Sequence, residues 1–105
     1  MLTSKQRAYL KSLAQKEEPI VHVGKASLTD ENAASIDEAL SARELVKVAV
    51  LKNCADDPRE IADALAVMTR SDVVQVIGKK IVLYREAKDK PKEKRIKLPP
   101  AKKNM

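Results

Sequence analysis

The chain has one histidine, His22, and one cysteine, Cys54, so the nucleophilic chemistry open to it reduces to a single thiol and imidazole pair. A strand and a helix are expected between them, and nothing in that spacing recommends a catalytic arrangement. No cluster of His, Cys and carboxylates has metal-ligand spacing, so neither a metal nor another cofactor is expected. The adjacent carboxylates Asp56 and Asp57 read as a turn and a helix cap rather than an acid and base pair. These residues point away from an enzyme and from a small-molecule substrate. A different chemistry sits between Ile20 and Thr29, where a short apolar run leads into Gly24, Lys25, Ala26 and Ser27 and then a helix cap. Backbone N–H groups in such a turn, with one cation, can contact a phosphate. Asp30 and Glu31 follow at once, so an anion there must be held by the Gly24 to Ser27 backbone and by Lys25, ahead of those carboxylates.

The elements that must position this loop are legible from periodicity and caps. Thr3 with Gln6 forms a capping-box pattern, and Tyr9, Leu10, Leu13 and Ala14 recur at helical spacing, which predicts a helix from about Ser4 to Lys16. Arg7 and Lys11 then share one border of its apolar stripe, with Lys5 and Lys16 on the other. Ile20 to Val23 is a strand led by Pro19. A second helix starts at its cap Thr29 and buries Ala33, Ile36, Ala39 and Leu40. Leu45 to Leu51 is almost continuously apolar, as expected of a central strand covered on both faces. Asp57-Pro58-Arg59-Glu60 opens a third helix, with Ile61, Ala64, Leu65 and Met68 inward. Val73 to Ile77 and Lys80 to Tyr84 form a hairpin, Gly78 taking the first central position of a type II′ turn. The hairpin puts Lys79 and Lys80 at its turn and Arg85 at its end. The order α-β-α-β-α-β-β predicts an α/β fold, a single compact domain with a four-stranded mixed sheet and packed helices.

Charge is unevenly placed along the 105 residues, whose net charge is +6. Residues 1–85 carry 13 Lys and Arg against 12 Asp and Glu, and residues 86–105 carry 8 against 3. The expected organisation is therefore a domain over 1–85 followed by a basic extension over 86–105, too charged to pack. A basic balance favours a polyanionic partner. One cysteine rules out an intramolecular disulfide and fits a reducing compartment. With no apolar run of signal-peptide or membrane-spanning length, the chain is expected in the cytoplasm, as a monomer, without a membrane partner. No Phe or Trp is present, and the two tyrosines are Tyr9 and Tyr84, so base stacking on an exposed aromatic sheet is not expected. Phosphate and shape contact is the expected mode, with steep salt dependence.

Several segments, in order, resemble the CRM domain (chloroplast RNA splicing and ribosome maturation) in its stand-alone bacterial YhbY-like form. They are Lys5 to Ala14, Pro19 to Lys25, Leu28-Thr29, Glu44 to Val48 and Val74 to Arg85, and Ile96-Lys97-Leu98-Pro99 also looks like the family's ending. The resemblance implies an RNA-binding domain similar in fold to the C-terminal domain of bacterial translation initiation factor three. It also implies an accessory role in large ribosomal subunit assembly, with rRNA of large-subunit precursors as partner. The family's loop is Gly-x-x-Gly. Here Gly24 matches the first glycine, Lys25 and Ala26 fill the middle, and Ser27 replaces the second, where its hydroxyl could donate to a phosphate oxygen. The RNA contact surface expected from loop and charge together is Gly24, Lys25, Ala26, Ser27, Arg7, Lys11, Lys79, Lys80 and Arg85. The competing expectation is a protein-interaction module that docks through Asp37 and Glu38 and uses the tail only for solubility.

Overall fold

A computed structural model describes residues 2–99. Its elements are α1 (Ser4–Ala14), β1 (Val21–Val23), α2 (Asp30–Arg43), β2 (Leu45–Val50), α3 (Pro58–Thr69), β3 (Asp72–Ile77) and β4 (Lys80–Tyr84), with one 3₁₀ turn at Lys92–Lys94. The four strands form one sheet in the order β1-β2-β4-β3. β1 and β2 are parallel, whereas β4 is antiparallel to both β2 and β3. The α/β class and the mixed four-stranded sheet are as the sequence predicts.

The caps explain where the helices start. Thr3 accepts from the Gln6 N–H at 3.1 Å while Gln6 Oε1 accepts from the Thr3 N–H at 3.1 Å, a closed capping box. Thr29 and Asn32 close the same box on α2. α3 differs from expectation, because Asp57 occupies the N-cap position without a side-chain cap bond. Its buried stripe is Ile61, Ala62, Leu65 and Thr69, while Ala64 is exposed and Met68 is 49% exposed. The helix is therefore rotated from the orientation its apolar residues suggest. Thr69 can turn inward because its hydroxyl donates to the Leu65 carbonyl at 2.7 Å, satisfying the buried polar atom.

Alternation along the strands divides the core in two. Val46, Val48 and Val50 of β2 and Ile81 and Leu83 of β4 join Ile36, Leu40, Ile61 and Leu65 beneath α2 and α3. On the other face, Leu45, Val74, Val82 and Tyr84 pack with Leu2, Leu10 and Ala14 of the α1 layer. Leu45, Asp72 and Tyr84 pair at one end of the sheet, and the core under α1 extends from that end to Val82, in the row of Lys47 and Gln75. Five of the six β2 residues are buried, Ala49 among them at 6% exposure, so the expectation that β2 is covered on both faces holds except at the half-buried Lys47. Toward the hairpin turn, none of His22, Ala49, Lys80 and Ile77 belongs to the α1 core, and His22, Lys80 and Ile77 are exposed.

The segment after Arg85 corrects the expectation of an unpacked tail. Ala87 is buried, and Ile96 and Leu98 pack against the α1 core. The device that holds them is Glu44, which is 1% exposed. Its carboxylate accepts from the Ala87 N–H at 2.8 Å and the Ile96 N–H at 2.6 Å. Arg95 closes the loop by donating to the Lys88 carbonyl at 2.9 Å, the Lys90 carbonyl at 2.8 Å and Glu86 at 3.0 Å. Gln6 Nε2 reaches the Pro99 carbonyl at 3.0 Å. Charge density misled because most of the lysines point outward from a backbone anchored by a few neutral side chains, the Arg95 guanidinium and one buried carboxylate. The residues of the expected extension after Pro99 lie outside the described ones.

Candidate nucleic-acid interface

The loop and the hairpin arrive at the same end of the sheet because the last residues of β2 bond to both. The Leu51 N–H donates to the Val23 carbonyl at 2.8 Å, and the Val50 N–H donates to the Lys79 carbonyl at 2.7 Å. Two interstrand spacings, about 10 Å, therefore separate the strand ends that carry Lys25 and Lys80. Within the loop, the Ser27 N–H donates to the Gly24 carbonyl at 2.8 Å, which closes a turn over Lys25 and Ala26. Both of those residues are exposed, and their N–H groups donate to no acceptor among the described residues. An anion could take both together with the Lys25 ammonium.

The two ends of the four-residue loop are not alike. Ser27 has φ +61°, a conformation that glycine adopts freely and serine only at a cost. The cost is offset by its hydroxyl, which donates to the Asp56 carboxylate on the loop before α3. That bond corrects the expectation of a Ser27 hydroxyl free for phosphate. Gly24 lies outside the left-handed region, and a Cβ built on it would stand 3.4 Å from Leu51 Cδ1 and 3.5 Å from Asn53 Oδ1. The fold itself thus has room for a methyl group there.

Arg7 and Lys11 lie on the α1 border that faces β3. With Arg59 of α3 they line a cleft of about 350 Å³ along residues 73–77. Arg7 Nη2 donates to the Val73 carbonyl at 3.4 Å, beside the irregularity that shifts the register between Val73 and Gln75. Arg85 departs from the expected surface. It sits at the opposite end of the sheet, where its guanidinium donates to Asp37 Oδ1 at 2.6 Å, the Thr69 carbonyl at 2.7 Å, the Asp37 carbonyl at 2.8 Å and Ser41 at 2.8 Å. Its donors are spent on tying β4 to α2 and α3, and Asp37, expected as a protein-docking residue, is its ion-pair partner.

Register adds two residues that periodicity did not, Lys47 and His22. His22 pairs with Ala49, Ala49 with Lys80 and Lys80 with Ile77, so these four form one row across the open half of the sheet. The adjacent row contains Lys47, Val82 and Gln75. Neither row contains a carboxylate. The signal for Lys47 was its charge in the middle of an otherwise apolar strand, which is only useful once the strand's register is known. His22 and Cys54, the nucleophilic pair considered above, fall on opposite sides of the sheet, Cys54 being buried beneath α2 and α3.

Charge is therefore separated by layer. α1 has Lys5, Arg7 and Lys11 and no carboxylate, while α2 and α3 together have Asp30, Glu31, Asp37, Glu38, Glu60 and Asp63 against Arg43 and Arg59. A cleft of about 730 Å³ lies away from this surface, between the start of α1, Tyr84 and the segment after Arg85. Among the described residues no group of three or more His, Cys, Asp or Glu is placed to hold a metal, and no helix is long and apolar enough to cross a membrane.

Comparison with known proteins agrees with this architecture. The chain is 48% identical over 99 residues to a Bacillus subtilis protein named "Probable RNA-binding protein YqeI", covering 94% of this chain and 100% of that one. A Haemophilus influenzae protein named "RNA-binding protein" is 37% identical over 98 residues, covering 93% and 95% of the two chains. The solution structure of SAV1595 from Staphylococcus aureus matches with a TM-score of 0.77 and 47% identity, covering 94% of this chain and 100% of that one. Residues 2–85 match the profile of the CRS1/YhbY (CRM) domain, and the chain belongs to that family.

Proposed function

We propose that this chain is an RNA-binding protein, holding the phosphate backbone at the Gly24-Lys25-Ala26 turn and on the cationic side formed by α1 and the open half of the sheet. The observation that carries the reading is the separation of charge by layer. The net balance of residues 1–85 is nearly neutral, yet Arg7, Lys11, Lys47 and Lys80 stand on one side and the carboxylates of α2 and α3 on the other. A polyanion approaching the cationic side meets no opposing charge in the sheet rows. The names of the Bacillus and Haemophilus relatives support the same reading. Ser27 contributes by fixing the turn, and Arg85 by fixing the sheet to its helices.

Within that reading the chain serves as a cytoplasmic accessory factor in large ribosomal subunit assembly, binding precursor rRNA as a monomeric, non-catalytic protein. The family resemblance supports this role. Crosslinking in growing cells, followed by sequencing of the attached RNA and sedimentation of the particles, tests it. Enrichment of large-subunit precursor rRNA is expected. Crosslinks confined to messenger or transfer RNA, with normal precursors in cells lacking the protein, would contradict the ribosomal role.

A further inference from the structure

We propose that the open half of the sheet takes unpaired RNA, with bases seated on an aliphatic and imidazole shelf formed by Leu51, His22 and Ile77. This inference rests on the RNA-binding reading above and adds the class of RNA. Its first support is where the exposed apolar side chains lie. Of the six large hydrophobics exposed on the molecule's described residues, Ile20, Leu51 and Ile77 belong to this half-face or its rim, at 36%, 41% and 59% exposure. Lys25 stands at one edge of the shelf and Lys80 lies within its row. Apolar centre and cationic rim fit a ligand that is itself apolar on one side and anionic on the other.

Unpaired RNA has that character and a duplex does not. An A-form helix presents phosphates and 2′-hydroxyls outward and keeps its base faces stacked inside, so it would leave Leu51 and Ile77 without a partner. Splayed bases can lie on aliphatic side chains and on the His22 ring while their phosphates reach Lys25, Lys47 and Lys80. The lack of an aromatic platform changes the kind of contact and leaves the site's polarity intact.

Gly24 gives the second support. Its backbone does not need glycine, and the nearest atom to an added Cβ is the terminal Cδ1 of Leu51, the shelf residue beside it, at ordinary contact distance. A glycine that the chain's own fold does not require is explained by an occupant that must come close to the backbone. The shelf begins at that point, so backbone and base contacts of one strand can be made together.

Fluorescence anisotropy with the full chain would compare a labelled unstructured RNA oligonucleotide with the same strand annealed to its complement. The variant is His22→Ala with Leu51→Ser, both exposed positions, with circular dichroism as the check on folding. Tighter binding of the unpaired strand is expected, with an affinity loss of about tenfold in the double variant and little change for the duplex. Equal or tighter binding of the duplex, or an unpaired-strand affinity untouched by the double variant, would overturn the shelf and leave the RNA reading standing. Binding of neither RNA would overturn both.

Discussion

At the scale of single residues, two positions in one loop bear on stability and function in opposite ways. Ser27 accepts a left-handed backbone because Asp56 takes its hydroxyl hydrogen. Ser27→Ala keeps the unfavourable φ and loses the bond, and is expected to lower stability by about 1 kcal/mol in urea unfolding. Ser27→Gly loses the bond but removes the strain, so its stability should stay within about 0.5 kcal/mol of the parent. Tyr84 makes a prediction of another kind. Burial pushes its phenol up to about 12, with the carboxylates of Glu44, Glu86 and Asp72 adding to the rise and Arg95 opposing it. The neutral phenol is the form the fold favours, so its contribution is complete below the ordinary value of 10.0 and is lost as pH rises toward about 12, where the folded form also ionises. Tyr84→Phe should therefore flatten the alkaline fall in stability, compared by urea unfolding at about pH 9 and about pH 11.

At the scale of elements, the parts with local causes were legible and the parts with distant causes were not. Thr3 and Gln6, Thr29 as a cap, and the Gly78 turn each act within a few residues, and each is found where the sequence places it. Gly78 has φ +57° and Lys79 is not left-handed, as a type II′ turn requires. The rotation of α3 was not legible, because Thr69 is inward only through a bond to Leu65 and through the shape of the sheet beneath it. Nor was the packing of the segment after Arg85, which depends on Glu44, some forty residues earlier in the chain. Glu44→Ala leaves the Ala87 and Ile96 N–H groups without their charged acceptor and is expected to cost about 3 kcal/mol. The same variant should become sensitive to trypsin between Lys88 and Lys97, read by mass spectrometry. Unchanged cleavage would mean that Ile96 and Leu98 hold the segment without the carboxylate.

For the whole molecule, the informative property is the direction of its charge rather than its amount. Residue counts placed most of the excess in the last twenty residues, and the candidate surface from sequence combined Arg85, which is structural, with Arg7, Lys11 and Lys80, which lie on the α1 side of the sheet. Lys47 and His22 were missed because membership of that side follows from strand register and from which half of the sheet α1 leaves open. A sequence read one element at a time contains neither fact. The central claim is that the folded surface around the Gly24 loop binds RNA. The measurement that tests it most directly is RNA affinity across a salt series for the full chain and for Gly24→Asp with Lys25→Glu, both verified as folded. We expect the variant to bind at least about tenfold more weakly, with a flatter dependence on salt because fewer phosphate contacts release counterions. Equal affinity and an equal salt slope for the two proteins would contradict the account and move the binding to the basic C-terminal segment.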